Sequence, residues 1–231
     1  MNKLRKIAPI ALLLTSVTST AFADNWNIGA SASYGNIDGT ASDTQVGPAG
    51  TVAQTRGAKS GDADFPFASI FIEYAKTMDK DLDIIIGLDY VPFKAEIDSK
   101  SFADTSLEAG TTASGTRKAK LELENYATLY LQPTYKIGGG TAVFGKVGYI
   151  HGDVKISGSN TATGSTINAT DTLNGYVVGL GVQHNINKNV FVRLEGSYTD
   201  HDSVTATDSK STKFTADSEL IAGKLSIGYS F

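Results

Sequence analysis

The sequence predicts an all-β fold, an eight-stranded antiparallel up-and-down transmembrane β-barrel with short periplasmic turns and long extracellular loops. Three observations predict it: strand-like stretches with period-two hydrophobicity, connections that alternate between short and long, and charged residues in mid-strand opposite the apolar face. Period two is the strand signature, and a membrane barrel turns its apolar face outward to lipid. The eight stretches cover 25–36, 66–77, 81–94, 120–136, 141–156, 173–186, 189–201 and 219–231.

The N-terminus has the features of a targeting segment. Its first residues include Lys3, Arg5 and Lys6, an apolar run follows over 7–17, and Ala21-Phe22-Ala23 offers the small residues that a signal peptidase needs. Such a run is too short to remain as a membrane helix. We therefore predict a secretory signal peptide over 1–23 and one barrel domain over 24–231.

Composition excludes several function classes. The predicted signal peptide carries three basic residues and no acidic ones, so the rest of the chain has 17 basic against 24 acidic side chains. This acidic balance argues against a nucleic-acid partner, which requires a basic surface. The chain has no cysteine, so neither a disulfide framework nor thiol chemistry is expected. No later stretch approaches about 18 apolar residues, so a membrane location requires a barrel.

The last stretch shows the strand pattern most clearly. Ile221, Leu225 and Ile227 share one face, whereas Lys224 and Ser226 lie on the other. The three short connections, at 78–80, 137–140 and 187–188, contain Gly, Asn or Asp, which suit tight turns. The four long connections cover about 37–65, 95–119, 157–172 and 202–218. Short and long connections in alternation are typical of outer-membrane barrels.

The polar face of the predicted strands carries charges of both signs. Mid-strand charges are costly unless they are paired or hydrated, and the interior of an eight-stranded barrel is just wide enough to be filled by side chains. We therefore expect a closed lumen in which carboxylates pair with cations, and Tyr126, Tyr130 and Gln132 fill space as hydrogen-bonding groups. The predicted lumen charge network consists of Glu73, Asp89, Glu122, Glu124, Lys146, Arg193, Glu195 and Lys224.

The C-terminal heptapeptide Leu225-Ser226-Ile227-Gly228-Tyr229-Ser230-Phe231 resembles the C-terminal signature of outer-membrane barrels. The chain as a whole resembles the small eight-stranded family that includes the transmembrane domain of outer-membrane protein A and the opacity-type proteins. This resemblance implies a location in the bacterial outer membrane. It also implies that Tyr229 and Phe231 form an assembly signal read by the barrel-assembly machinery.

Two histidines are the candidates for chemistry. His151 stands near Asp153, and His201 stands beside Asp202 and Ser203, both at the outer ends of strands. A His, Ser and acid set at this rim would suit an enzyme that modifies lipopolysaccharide, provided that a hydroxyl and a base lie within about 3 Å. Nothing in the sequence forces that spacing, and metal-ligand spacing is absent. We expect solvated rim residues, no catalytic or metal site, no cofactor and no enzyme activity.

The expected function is that of a structural or surface-interaction barrel in the outer membrane, with a closed polar lumen and four extracellular loops. The expected partners are outer-membrane lipid and lipopolysaccharide, the barrel-assembly machinery, and a host cell or phage that contacts the loops. Three alternatives stay open: a narrow porin-like channel for ions or small solutes, a lipid A-modifying enzyme, and a soluble periplasmic ligand-binding barrel. The state of the lumen charges discriminates between a closed barrel and a channel.

Overall fold

The computed structural model describes residues 24–46, 52–108, 111–162, 164–209 and 213–231; the predicted signal peptide, 1–23, lies outside them. No helix among the described residues is long and apolar enough to cross a membrane. These residues form nine β-strands: β1 Asn25–Val46, β2 Val52–Asp79, β3 Leu82–Tyr90, β4 Ala95–Glu108, β5 Thr111–Gly138, β6 Thr141–Asn160, β7 Ser165–Asn185, β8 Val190–Thr207 and β9 Lys213–Ser230.

The strands form a closed antiparallel ring. Strands that are neighbours in chain order pair with each other, except β3 and β4; β3 pairs instead with both β2 and β5, and β9 returns to pair with β1. Where the ends of the chain meet, Trp26 N–H donates to the carbonyl of Phe231 (3.1 Å) and Phe231 N–H donates to that of Trp26 (2.9 Å). The described strands therefore build the predicted eight-membered barrel, with no free edge in its lower half.

The ninth strand arises because one wall position is interrupted. The stretch predicted over 81–94 ends as β3 at Tyr90, and the chain resumes as β4 at Ala95. Pro92 lies in the gap and has no N–H for a ladder bond. β4 then pairs only with β5. β3 and β4 together thus count as one member of the barrel.

The apolar side chains of the lower barrel face outward, as predicted. Leu180 is 74% exposed and Leu225 is 61% exposed, whereas Arg193, on the opposite face of its strand, is only 3% exposed. This inside-out pattern is what hydrocarbon demands, because only outward side chains meet lipid. The short connections also match the prediction: Gly138, Gly139 and Gly140 all adopt positive φ at one of them.

Exposed aromatic residues mark both edges of this apolar belt. The row nearest the short turns contains Trp26, Tyr135, Tyr229 and Phe231, and the upper row contains Tyr34, Tyr149, Tyr176 and Tyr198. Tyr149 and Tyr176 contact each other edge to face with ring centroids 5.4 Å apart. Aromatic side chains favour the two membrane interfaces because one end of each ring system is apolar and the other is polar.

The strands extend far above this belt, which corrects the expectation of four long loops. β6 alone has 20 residues and spans about 66 Å at about 3.3 Å per residue, although about 9–11 residues suffice to cross a membrane. Most of 37–65, 95–119, 157–172 and 202–218 is strand. These segments look like loops because many of their outward positions are Ser, Thr, Asp or Lys, but inward positions such as Ile37, Ile97 and Val204 remain apolar.

Above the belt the ring divides into two sheets. The β2–β3 ladder ends where Ile70 meets Tyr90, and the β7–β8 ladder ends where Gly175 meets His201. Beyond these points the ladders join β4, β5, β6 and β7 into one sheet, and β8, β9, β1 and β2 into another. We call the two boundaries the β2/β4 seam and the β7/β8 seam. The outer half of the molecule is thus a pair of facing four-stranded sheets.

Candidate functional site: the barrel lumen

An ion pair between Glu73 and Arg193 lies at the centre of the lower lumen. Arg193 Nη2 donates to Glu73 Oε2 at 2.7 Å, and Nη1 donates to Oε1. Tyr130 Oη also donates to Glu73 Oε1 (2.5 Å), and Asn27 Nδ2 donates to Oε2 (3.1 Å). Arg193 Nε donates to Gln183 Oε1 at 2.7 Å. Both charges are therefore buried with nearly all their hydrogen-bonding capacity satisfied, the condition under which a buried ion pair persists.

Two further ion pairs complete this part of the lumen. Lys146 Nζ donates to Glu195 Oε2 (2.5 Å), and Lys224 Nζ donates to Asp89 Oδ2 (2.9 Å). Lys146 Nζ also stands 4.3 Å from the ring centroid of Tyr130. The structure thus brings together six of the eight predicted network residues. We call them the ion-paired layer: Glu73, Asp89, Lys146, Arg193, Glu195 and Lys224.

Gly87 makes room for the central tyrosine of this layer. A Cβ at position 87 would lie 2.4 Å from Cζ of Tyr130, so any other residue would push that ring aside. Gly87 is the register partner of both Glu73 and Tyr130. The absence of a side chain here therefore allows Tyr130 to cross the lumen and reach the Glu73 carboxylate.

The expectation that Glu122 and Glu124 belong to the lumen network is wrong. Asn125 has a φ of 53°, and the β5–β6 register shifts there, so the side-chain alternation changes parity. Leu123 points inward as a result. Its two acidic neighbours pair with cations outside the lumen: Lys120 Nζ donates to Glu122 Oε1 (2.9 Å), and Lys94 Nζ lies 2.7 Å from Glu124 Oε1. The hydrogen bond from Lys120 lowers the pKa of Glu122.

A second, apolar layer fills the lumen above the ion-paired layer, and the sequence analysis missed it. Its side chains come from both facing sheets and are buried. We call it the apolar layer: Phe65, Val91, Ala95, Leu123, Tyr126, Ile150, Val154, Leu173, Val177, Val204, Leu220 and Ala222. Phe65, Ala95 and Val204 lie in segments assigned to loops, whereas the other members lie in predicted strands, whose inward face was expected to be polar.

A small cavity separates the two layers. Its volume is about 30 Å³, and its lining includes Asp89 and Lys224 from the ion-paired layer and Tyr126 and Ile150 from the apolar layer. A cavity of this size holds about one water molecule. The two layers lie in series along the barrel axis, with this small cavity between them.

The candidate histidines have structural partners. His201 Nε2 lies 3.3 Å from Tyr126 Oη across the lumen, and its Nδ1 lies 3.2 Å from Ser218 Oγ. Burial lowers the pKa of His201. Ser203 instead donates to Asp217. The Ser203, His201 and Asp202 set considered from the sequence is therefore not assembled.

The expectation of a solvated rim residue is wrong for His201, which is buried, whereas the other two histidines are peripheral. His151 Nδ1 lies 2.9 Å from Asn174 Oδ1 on the outer surface, and His184 Nδ1 lies 3.0 Å from Thr141 Oγ1 near the short turns. The described residues contain no group of three His, Asp or Glu side chains arranged to hold a metal ion. Tyr229 and Phe231 stack outward with ring centroids 6.4 Å apart; their role as an assembly signal stays a prediction.

Comparisons with known proteins agree with this architecture. The profile of the family described as Outer membrane protein beta-barrel domain matches residues 10–218. The fold is similar to that of outer membrane protein OprG from Pseudomonas aeruginosa, with a TM-score of 0.52, 16% identity, and coverage of 91% of this chain and 97% of that one. No curated protein sequence matches the chain.

Two other solved barrels are similar at a lower level. Outer membrane protease OmpT from Escherichia coli has a TM-score of 0.47 and 12% identity, with 92% of this chain and 99% of that chain covered. Ail, the attachment invasion locus protein of Yersinia pestis, has a TM-score of 0.44 and 14% identity, with 89% and 98% covered. At these identities the likeness concerns the fold alone.

Proposed function

Because the chain belongs to the outer membrane protein beta-barrel domain family and is a bacterial outer-membrane β-barrel, we propose that it acts as a closed structural and surface-interaction barrel. Its lumen stays shut, and its role is to hold the two facing sheets above the membrane surface. Outer-membrane lipid and lipopolysaccharide surround the belt, and the barrel-assembly machinery recognises Tyr229 and Phe231. A host cell or a phage is the partner class for the outer sheets.

One observation carries the closed lumen: two layers of different chemistry block it in series. The ion-paired layer neutralises its own charges, so it leaves no unpaired ring of charge to attract ions. Apart from the Tyr126 hydroxyl, which faces His201, the side chains of the apolar layer above it offer a permeating ion no polar group in place of its hydration shell, and stripping an ion of water is very costly. A solute would have to displace both layers to pass.

Planar-bilayer recording of the purified protein tests the closed lumen. We expect membranes that contain the inserted barrel to show no steady current steps above those of protein-free membranes. A migration shift between unboiled and boiled samples on a detergent gel verifies that the inserted protein is folded. Steady channels in most insertions would contradict the closed lumen and favour the alternative, a narrow channel for ions or small solutes.

Surface interaction is tested by trimming the outer sheets. In one variant, short turns replace residues 38–62 and 157–172, which removes most of two hairpins above the belt. The belt and the ion-paired layer stay, so we expect this variant to retain the gel shift but to lose the attachment to host cells or phage that the full chain confers on bacteria. Equal attachment by cells that display the two chains would refute the role of the sheets.

We further propose that the chain is not an enzyme. The partners of His201 support this: its two ring nitrogens face the hydroxyls of Ser218 and Tyr126, so in the described structure no carboxylate orients the imidazole as a base, and Ser203 donates to Asp217 instead. Mass spectra of lipid A from cells with the wild-type chain and with His201→Ala or His151→Ala should be identical. A lipid A mass change that depends on either histidine would overturn the proposal.

A further inference from the structure

An apolar groove crosses the lipid-facing belt from β5 to β9. Its volume is about 770 Å³. Neighbouring strands lie about 4.8 Å apart, so a groove that spans five strands is about 19 Å long. We call it the belt groove, and its lining includes Pro133, Gly145, Val147, Leu180, Gly196 and Ile221.

Two outward glycines leave the space that forms the belt groove. A Cβ at Gly196 would have no other atom within 4 Å, and a Cβ at Gly145 would only touch Leu180 Cδ2 at 3.9 Å. These glycines therefore differ from Gly87, where a side chain would collide with Tyr130. In the membrane an empty groove would forfeit dispersion contacts along its walls, so an acyl chain is the natural filling.

The belt groove runs obliquely across the membrane. At one end Pro133 stands two residues before Tyr135, which belongs to the row nearest the short turns. At the other end the groove is lined by Tyr198, a member of the upper aromatic row. Aromatic rows mark the boundary between acyl chains and headgroups. A lipid chain in the groove therefore has its headgroup beside Tyr198.

A polar depression of about 480 Å³ lies directly above this upper end. Asp200, in its lining, stands two residues above Tyr198 on β8. Glu219, the register partner of Asp200, stands two residues above Ile221 on β9 and accepts a hydrogen bond from the Tyr198 hydroxyl. We call it the acidic depression, and the carboxylates in its lining are Asp38, Asp62, Asp200, Asp217 and Glu219.

The acidic depression has a surplus of negative charge. Among the described residues that line it there is no Lys, Arg or His. Asp38 is the register partner of both Asp62 and Glu219, and like charges placed opposite each other on neighbouring strands repel. Asp62 attracts Lys100 across the β2/β4 seam, but Lys100 already lies 2.9 Å from Asp98. A cationic headgroup would relieve this repulsion, whereas a phosphate would increase it.

We propose that the belt groove and the acidic depression together bind one lipid of the outer leaflet whose headgroup carries a protonated amine. The acyl chain fills the groove beside Gly196, and the amine lies against Asp200 and Glu219. The proposal deepens the lipid contact of the belt and rests on that part of the proposed function. It does not depend on the closed lumen or on attachment through the outer sheets.

Fluorescence quenching tests the preference for an amine. Trp26 is the single tryptophan, so Trp26→Phe with Leu194→Trp gives one reporter at the next outward position below Gly196, which is 64% exposed. Trp26→Phe with Ile86→Trp gives the matched reporter on β3, across the barrel from β8. Each folded protein in phosphatidylcholine vesicles is titrated with octadecylamine and with octadecyl phosphate, both nitroxide-labelled on the chain.

The amine label should quench the Leu194→Trp reporter at about a three- to tenfold lower concentration than the phosphate label, a ratio that a few exposed charge pairs provide. The two labels should quench the Ile86→Trp reporter equally. Equal quenching at the Leu194→Trp reporter would overturn the proposal. If the phosphate label matches the amine label once Mg²⁺ is added, the depression binds metal-bridged phosphate lipids, and the preference for an amine is refuted.

Variants of the site separate groove binding from general attraction to a charged surface. Gly196→Leu fills the belt groove, and Asp200→Asn with Glu219→Gln removes charge above it. We expect either change to abolish the amine preference at the Leu194→Trp reporter. Ala30→Leu is the matched control, because it fills a different apolar cavity of the belt, of about 860 Å³, whose described lining carries no charged residue. This control should leave the preference unchanged.

The gel shift on boiling verifies that each variant is folded, and Gly145→Leu fills the groove if Gly196→Leu lacks the shift. An amine preference that survives filling of the groove, or survives removal of the two carboxylates, would overturn the proposal. None of these outcomes changes the expected absence of current steps or the expected attachment through the outer sheets. A failure here is therefore distinguishable from a failure of the proposed function.

Discussion

Glu73 and Arg193 illustrate how single residues determine the interior of this barrel. Each is buried, and each has the other as its main charged partner. Removing one partner of a buried pair leaves a charge without compensation, which costs about 3–5 kcal/mol. Removing one partner therefore costs much stability. The intact pair nevertheless adds little net stability compared with apolar residues of similar volume.

We expect Arg193→Met to lower the free energy of unfolding by about 3–5 kcal/mol, because the Glu73 carboxylate stays buried without its cation. Urea unfolding of the protein in detergent micelles measures the change. The double variant Glu73→Leu with Arg193→Met should recover much of the loss, since no charge is then stranded. Lys80→Gln, which breaks an exposed pair with Asp81, is the surface control and should leave the midpoint unchanged. Equal destabilisation by the single and double variants would contradict this account.

His201 gives the folded state a dependence on pH. Its pKa is lowered mainly by burial, against smaller opposite effects of Ser218 and Asp200. Because the folded pKa lies below the unfolded value of about 6.5, the unfolded chain binds more protons as the pH falls through that value. The stabilising effect of the neutral imidazole is therefore present above about pH 6.5 and lost as the pH falls toward the folded pKa.

We expect wild-type protein to lose more stability than His201→Gln between pH 7 and pH 5. The difference should amount to at most about 1.4 kcal/mol for each pH unit below the unfolded pKa. The carboxylates beside the ring, Asp200 and Asp202, are common to both proteins, so the difference isolates the histidine. Urea midpoints at the two pH values provide the measurement, and parallel losses in the two proteins would refute the assignment.

At the scale of strands, period-two alternation was enough to predict the ring of eight, its short turns and its outward apolar belt. The strand lengths were not predictable in the same way. Above the membrane the outward face meets water, so Ser, Thr and Asp alternate with inward residues such as Ile37 and Val204, and the mean polarity of the segment resembles that of a loop. In these segments, apolar residues at alternate, inward positions indicate a strand, whereas the mean polarity of the segment does not.

The bulge at Asn125 explains why the predicted site was incomplete. Alternation placed Glu73, Lys146 and Arg193 correctly, because their strands keep one parity through the lower barrel. One extra residue in β5 reverses the parity for everything before it, so Glu122 and Glu124 face outward. Asparagine is common at such positions and also in ordinary turns, so the sequence alone did not identify this residue as a bulge.

We expect Asn125→Val to destabilise the barrel more than Asn125→Gly. A β-branched residue pays about 1–2 kcal/mol for a left-handed conformation, whereas glycine adopts it freely. Both variants lose the hydrogen bond that Asn125 Nδ2 donates to Asp153 Oδ2 (2.8 Å), so their difference reports the backbone alone. Urea midpoints of the two variants are the measurement; a valine variant as stable as the glycine variant would show that the positive φ is not required.

The whole molecule combines two constructions that usually occur apart. Its lower half is a membrane barrel with a polar interior, and its upper half is a pair of sheets with an apolar interior, as in a soluble β-sandwich. The change occurs close to the upper aromatic row, where the outward surface changes from apolar to polar. In each half the inner face therefore has the opposite polarity to the outer face. The lower half is polar inside and apolar outside, and the upper half is apolar inside and polar outside.

This arrangement makes the two lumen layers independent seals. The ion-paired layer closes the membrane-embedded half, and the apolar layer closes the outer half. If both are seals, opening the lower one alone leaves the upper one in the path of any ion. Loss of the central ion pair should then affect stability and local hydration without creating a pore.

Planar-bilayer recording of Glu73→Ala combined with Arg193→Ala tests this claim most directly. The double replacement removes both charges together, so it opens the ion-paired layer without stranding either group. The gel shift on boiling establishes that the variant is folded before insertion. The account predicts that the variant, like the wild-type protein, shows no steady current steps; steady channels in the variant would contradict the two-seal arrangement.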